Sequence, residues 1–163
     1  MSFDLSLTIS QQLQLLFKNP VFLSTFMSWL MAQVIKSIID SIRNRSSASK
    51  DIMVVLLWKT GGMPSSHSSM VVCLALSSGL SYGFHSPAFL VAFFFGGLVI
   101  RDAMGVRLSA GRQARVLNRL GKELEERCNI PFIPVKEVNG HTPAEVSVGA
   151  LLGCFMALAF HFL

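Results

Sequence analysis

His67 is the first residue whose type and setting suggest chemistry. It follows a stretch, residues 61–66, in which two glycines and Pro64 interrupt regular structure. Ser65 and Ser66 are typical of a helix start, where backbone N–H groups have no partner within the helix. Such an N-terminus binds anions, above all phosphate. His67 is therefore predicted to stand where it can exchange a proton with a bound anion; the alternative is an ordinary glycine-rich loop with an incidental histidine.

His141 stands in a similar setting. Thr142, Pro143 and Glu145 predict a helix that begins here, with a capping residue, a proline in the first position and an acid in the first turn. Glu145 lies one turn inside that helix, so its carboxylate can fix the tautomer of the His141 ring, as the third member of a catalytic triad does. Two histidines allow one nucleophile and one separate general acid.

Charged residues within the first apolar run form a second group of candidates. Lys36 and Asp40 are four residues apart and share a helix face, and Arg43 lies seven residues after Lys36 on the same face. Ionisable residues at membrane depth are costly and usually functional. The alternative is snorkelling near the end of the span, which suits Arg43 better than Lys36.

The composition indicates an integral membrane protein with a single domain, residues 1–163. Of its residues 52% are hydrophobic and only 14% are charged, against roughly 25% charged in a typical soluble domain. An apolar run of about 20 residues can cross a bilayer as a helix. We predict four such spans, at residues 20–42, 66–83, 86–104 and 145–163. The fold class expected is an all-α membrane helical bundle.

An additional helix is predicted between the last two spans. Residues 109–128 carry alanines and leucines at helical spacing, with arginine, lysine and glutamate on the other faces. This pattern is typical of an amphipathic helix that lies on the membrane or caps the bundle.

Basic residues predict the orientation of the spans. They concentrate in the loop after the first span and in the segment after the third, and the turn between the second and third spans has none. The positive-inside rule places both basic segments in the cytoplasm and both ends of the chain on the far side. This topology brings the candidate polar residues to the cytoplasmic face. They are Lys36, Arg43, His67, Arg101, Asp102, Arg107, His141 and Glu145, with the amides of Ser65 and Ser66.

The charge at this face favours an anion such as phosphate. Two helix N-termini and several cations suit spread negative charge. The histidines, Asp102 and Glu145 can ligate a metal, but the surplus of cations opposes a metal ion, so we expect neither a metal nor another cofactor. The net charge of +5 favours contact with anionic lipid, and no aromatic-interleaved basic patch predicts binding of nucleic acid.

Four motifs together resemble the divergent branch of the type 2 phosphatidic acid phosphatase superfamily, which also includes bacterial acid phosphatases and vanadium haloperoxidases. The resemblance covers about residues 20–160. The motifs are Gly-Gly-Met-Pro-Ser-Ser-His at 61–67, Asp102-Ala103 with Gly105-Val106-Arg107, Gly111-Arg112-Gln113-Ala114 with Leu117-Asn118, and Gly140-His141-Thr142-Pro143-Ala144-Glu145-Val146.

The resemblance implies a phosphatase mechanism with defined roles. It implies that His141 attacks phosphorus and forms a phosphohistidine, that His67 protonates the leaving oxygen and that Glu145 orients His141. Lys36, Arg43 and the amide of Ser66 would then hold the phosphate oxygens.

The sequence departs from the superfamily pattern at several positions. Asn44 replaces the proline of the first motif, and Glu145 replaces an aspartate. Val135 occupies the place of the arginine of the third motif, with Lys136 beside it, so Arg101 or Arg107 would have to supply that cation from another helix. The resemblance also implies six spans and a site that faces away from the cytoplasm, whereas the residues predict four spans and a cytoplasmic site.

Two functions follow as expectations. The first is a phosphatase in the plasma or inner membrane that acts on a lipid phosphate or another phosphomonoester, with membrane lipids as its surroundings. The second is a membrane protein without catalysis that binds or moves an anionic lipid or a partner.

Overall fold

The described part of the chain is entirely helical. The structure, a computed structural model, describes residues 8–43, 62–138 and 140–163; the side chains of Asp40 and Arg43 lie outside this description. No strand occurs in these ranges, which confirms the expected fold class. The helices are α1 (Ile9–Lys18), α2 (Pro20–Arg43), α3 (Ser66–Tyr82), α4 (Pro87–Met104), α5 (Val106–Cys128) and α6 (Pro143–Phe162).

Helix α3 is the centre of the bundle. It packs against α2, α4 and α6, and α2 also contacts α6. Its sequence is rich in serine, a small residue that lets helices approach closely within a membrane. Most of the residues it buries are serines and glycine rather than large apolar side chains. The large apolar residues of α4 and α6 instead face outward, as expected where lipid surrounds the bundle.

Two glycines set the distance between α3 and α6. Gly149 and Gly153 are four residues apart on one face of α6, and side chains there would clash with the backbone oxygens of Ser65 and Ser69. This is the small-xxx-small arrangement of tightly packed membrane helices. The contact lies next to the start of α3, so it also fixes where that helix begins relative to α6.

Serine pairs join α2 to α3. The hydroxyls of Ser24 and Ser77 are 2.8 Å apart, and those of Ser28 and Ser69 are 2.7 Å apart. All four side chains are buried. Ser28 and Ser69 also donate to each other's backbone carbonyls, so these buried polar contacts fix the rotation of α2 against α3.

Three helical stretches of the described chain are long and apolar enough to cross a membrane. They are Pro20–Ile39, Pro87–Cys128, which contains α4 and α5, and Pro143–Phe162. Helix α3 coincides with the remaining predicted span but has 17 residues and many serines. For α3, the prediction of a membrane span therefore rests on its packing against α2, α4 and α6.

The predicted amphipathic helix is α5, which begins three residues earlier than expected. It follows α4 directly, with a change of direction at Gly105, whose φ is −98° and ψ −82°. Asn129, in the left-handed conformation with φ 59°, ends it. Leu117, Leu120 and Leu124 line one exposed side of α5, in agreement with an amphipathic surface.

The chain after α5 runs back along that helix. The side-chain amide of Asn118 donates to the carbonyl of Val135 at 2.9 Å, and its oxygen accepts from the N–H of Val135 at 2.8 Å. Farther back, a side chain at Gly111 would clash with the carbonyl of Val138, and one at Gly140 would clash with Leu108. We call residues 129–138 and 140–142 the return segment; it carries the chain from the far end of α5 back to the end of α4.

Candidate functional site

The start of α6 connects the two halves of the candidate site. The N–H of Ser65, just before α3, donates to the carbonyl of Glu145 at 3.1 Å. The N–H of His141, at the end of the return segment, donates to the carbonyl of Ala103 in α4 at 3.0 Å. These two bonds bring the end of α4, the start of α3 and the start of α6 to one end of the bundle, where the sequence places its polar residues.

Glu145 holds His141 in one orientation. The Nδ1 atom of His141 lies 3.1 Å from Oε2 of Glu145, and the histidine is only 5% exposed. The same Oε2 accepts the N–H of Thr142 at 3.0 Å, and Thr142 Oγ1 accepts the N–H of Glu145 at 3.4 Å, which is a capping box. A carboxylate at Nδ1 favours the proton on that nitrogen, so Nε2 keeps its lone pair.

The two histidines face each other across a short gap. The ring centres of His67 and His141 are 6.3 Å apart, with the planes inclined by 55°. Since a hydrogen bond extends about 3 Å between heavy atoms, one small group of the size of a phosphate can contact both rings. One phosphate could not contact both rings if their centres were more than about 12 Å apart. The two rings are well within this limit, although 74 residues separate the histidines in the sequence.

The serines before His67 build the start of α3. Ser65 caps the helix, its Oγ accepting the N–H of Ser68 at 3.3 Å, and both Ser65 and Ser66 are buried. Ser66 is the first residue of the helix, so its N–H has no intrahelical partner. The positive end of the α3 dipole therefore lies beside the histidine pair.

Lys36 brings one cation to the site from α2. Lys36 is only 3% exposed, and the aliphatic part of its side chain lies against Gly62. A Cβ atom added at Gly62 would lie 3.7 Å from Cγ of Lys36. The charge of Lys36 acts on His67. The predicted pairing of Lys36 with Asp40 and the predicted role of Arg43 lie outside the described side chains.

Arg107 brings a second cation. Its Nε donates to Oδ2 of Asp102 at 2.6 Å, and both side chains are about half exposed. The charges of Arg107 and Asp102 both act on His67. Because Asp102 contacts only Nε, it positions the guanidinium while the terminal NH₂ groups keep their donors for an anion.

Arg101 lies in the last turn of α4, at the end that carries the candidate site. It lines an apolar groove between α3 and α4, together with residues such as Leu98 and Val72. Which of the two arginines replaces the missing cation of the third motif stays a prediction.

The role of Asn118 was not predicted, although its motif was noted. Asn118 binds both backbone groups of Val135 and also donates to Oε1 of Glu137 at 3.1 Å. It fixes the return segment at Val135, 17 residues farther along the chain, and thus the approach of His141. An asparagine on a helix of mostly charged and apolar residues was the available signal. The glycine pair Gly149 and Gly153 was likewise visible in the sequence.

Comparison with known proteins agrees with the motifs. The sequence profile of the family described as Divergent PAP2 family matches residues 17–156. An uncharacterized membrane protein of Bacillus subtilis (strain 168), YuiD, is 36% identical over 154 residues, which cover 88% of this chain and 94% of that protein. No solved structure matches the chain significantly. Because the family match extends over most of the sequence, this integral membrane protein belongs to the Divergent PAP2 family.

Proposed function

We propose that this protein is a membrane-embedded phosphatase that hydrolyses a phosphomonoester, in particular a lipid phosphate, through a phosphohistidine. The observation that supports this most is the arrangement of His67, His141 and Glu145. A second histidine stands 6.3 Å from a histidine whose Nδ1 is bonded to a carboxylate. A nucleophile, its orienting group and a separate acid are the groups that this reaction needs.

The first step forms the phosphoenzyme. The lone pair of His141 Nε2 attacks phosphorus, and the bond from phosphorus to the ester oxygen breaks. Protonated His67 gives its proton to that oxygen, so the alcohol leaves neutral. Glu145 stabilises the positive charge that the His141 ring acquires, because its carboxylate accepts the Nδ1–H.

The second step restores the enzyme. Water attacks the phosphorus of the phosphohistidine and loses a proton to neutral His67. The bond from phosphorus to Nε2 breaks, and inorganic phosphate is released. In both steps Lys36, Arg107 and the start of α3 are the groups proposed to stabilise the negative charge on the phosphoryl oxygens.

Binding of an anionic lipid without turnover is the second candidate. It is favoured by Val135, which occupies the place of the arginine of the third motif and whose backbone is bonded to Asn118. A site with fewer cations attracts a phosphate but stabilises the transition state less.

Hydrolysis by purified protein in detergent tests the proposal. Phosphate release from a panel of lipid phosphates and soluble phosphomonoesters is measured for wild type, His141→Ala and His85→Ala. His85 is an exposed histidine at the turn between α3 and α4, far along α3 from His67, and serves as the matched control. We expect His141→Ala to be inactive and His85→Ala to resemble wild type.

Vanadate provides an independent arm of the same experiment. It takes the five-coordinate shape of phosphoryl transfer, so a preorganised site binds it tightly. We expect inhibition of wild type at low concentration. If wild type releases no phosphate from any substrate and His141→Ala binds anionic lipid as wild type does, binding without turnover replaces the phosphatase proposal.

A further inference from the structure

A large apolar groove opens on the side of the bundle. It has a volume of about 750 Å³ and is lined by α3, α4 and one residue of α6. Val72 and Leu76 form one wall, and Phe93 and Leu98 form the other. Arg101 is the one charged residue that lines it.

Glycines of α4 shape the groove. A side chain on Gly96 would meet Val71 at 3.4 Å, so this glycine brings α4 close to α3. Gly97 beside it lines the groove, and a side chain there would meet nothing within 4 Å. The groove therefore exists partly because residue 97 has no side chain.

The dimensions of the groove fit one lipid chain. Along α4 it extends from Phe89 to Arg101, twelve residues and thus about 18 Å of helix. The hydrocarbon core of a bilayer is about 30 Å thick, so one leaflet takes about 15 Å. Arg101 stands at the end of α4 that carries the candidate site, where head groups are expected, and the apolar walls continue from there into the bundle.

Arg101 is separate from the histidine site. The neighbouring Asp102 is bonded to Arg107, and neither of these two residues lines the groove, whereas Arg101 does. An anion held at Arg101 therefore lies on the lipid-facing side of α4 and not between the histidines.

We propose that the α3–α4 groove binds one acyl chain of an anionic phospholipid of the bilayer, with the phosphate of its head group at Arg101. The apolar walls accept hydrocarbon, and the single guanidinium supplies the charge complement for a phosphate. The ligand is a phosphodiester, which the proposed hydrolysis does not consume. This site therefore stands or falls independently of the proposed function.

Photocrosslinking in vesicles tests the proposal. A photoreactive benzoyl-phenylalanine replaces Phe94, which lines the groove, or Phe155 of α6, which lies outside it; both side chains are 67% exposed. The full chain is reconstituted in phosphatidylcholine alone or mixed in equal parts with phosphatidylglycerol, and crosslinked lipid is identified by mass spectrometry. We expect phosphatidylglycerol to be enriched several-fold over its bulk share at position 94 and to match its bulk share at position 155.

Two substitutions test the contact with the acyl chain and the contact with the lipid head group separately. Gly97→Leu adds a side chain to the groove at a position where a Cβ atom would meet nothing within 4 Å, and it should reduce all lipid crosslinks at position 94. Arg101→Gln should leave the crosslinks but abolish the preference for phosphatidylglycerol. Equal lipid composition at positions 94 and 155, unchanged by Arg101→Gln, would overturn the proposal. A crosslink from position 94 to a peptide of residues 44–61, or to a second copy of the chain, would overturn it as well by assigning the groove to protein.

Discussion

At the scale of single residues, Glu145 has two functions: it caps α6 and it orients the ring of His141. Its Oε2 accepts from Thr142 N–H, which completes the cap of α6, and also from His141 Nδ1. The helix start and the ring orientation are therefore set by one oxygen. Substitutions at Glu145 and Thr142 can separate the two functions, since each removes a different bond.

Glu145→Gln should impair turnover more than stability. Glutamine still serves in a capping box, but it cannot stabilise a positive imidazole ring. We expect turnover to fall by about 10⁴ while a trace remains, as when the carboxylate of a triad becomes an amide. The measurement is the rate of phosphate release beside the melting temperature in detergent.

Thr142→Ala is the matched control for Glu145→Gln. It removes the cap, at a cost of about 1 kcal/mol of stability, and keeps the bond between Glu145 and His141. It should therefore lower the melting temperature but retain far more activity than Glu145→Gln. Full activity of Glu145→Gln would remove Glu145 from the mechanism.

Arg107 should matter for the same reaction in another way. If its guanidinium stabilises the phosphoryl oxygens, Arg107→Ala should lower turnover by about 10²–10³, the usual cost of one preorganised donor. Arg119→Gln, an exposed position on α5 with the same loss of charge, is the control. Equal rates for the two variants would mean that Arg107 contributes only general charge.

At the scale of helices, local patterns were sufficient to predict most elements. The first span was expected at residues 20–42 and is α2, Pro20–Arg43; the fourth was expected at 145–163 and is α6, Pro143–Phe162. Apolar runs, prolines and caps lie within a few residues of the helix ends that they set, so a single sequence reveals them.

Contacts between distant segments were harder to predict. The hydrogen bonds between Asn118 and Val135 join a helix to an extended segment. The sequence pattern of neither element indicates that it contacts the other. The positions of Arg101 and Arg107 relative to each other depend on the non-helical backbone of Gly105, which no local pattern fixes. By contrast, the nearness of His67 and His141 followed from the topology alone, because alternate spans end at the same membrane face.

The contact between α3 and α6 leads to a prediction at this scale. Gly153→Leu would place a side chain against the backbone at Ser69 and push the two helices apart. Overpacking of this kind costs about 1–3 kcal/mol, so the melting temperature in detergent should fall. Gly97→Ala, another glycine within a membrane helix but with open space around it, should be neutral or slightly stabilising. A similar decrease for both variants would contradict the proposed role of the α3–α6 contact.

At the scale of the whole molecule, the orientation in the membrane is a prediction that a native cysteine can test. Cys128 is exposed at the end of α5, on the side expected to be cytoplasmic. A membrane-impermeant thiol reagent should label it only after the cells are opened. In a Cys128→Ser background, Phe84→Cys at the turn between α3 and α4 should be labelled in intact cells. Labelling of Cys128 from outside would place the candidate site on the other face.

The position of α6 after the other described helices in the sequence also determines when, during synthesis, the candidate site can form. His67 and His141 both leave the ribosome before α6 does, yet the carboxylate that orients His141 and the glycines that fit against α3 belong to that helix. A nascent chain that has been synthesised only as far as His141 therefore carries both histidines without the arrangement that the proposed chemistry needs. The proposed site can form only once α6 has joined the bundle.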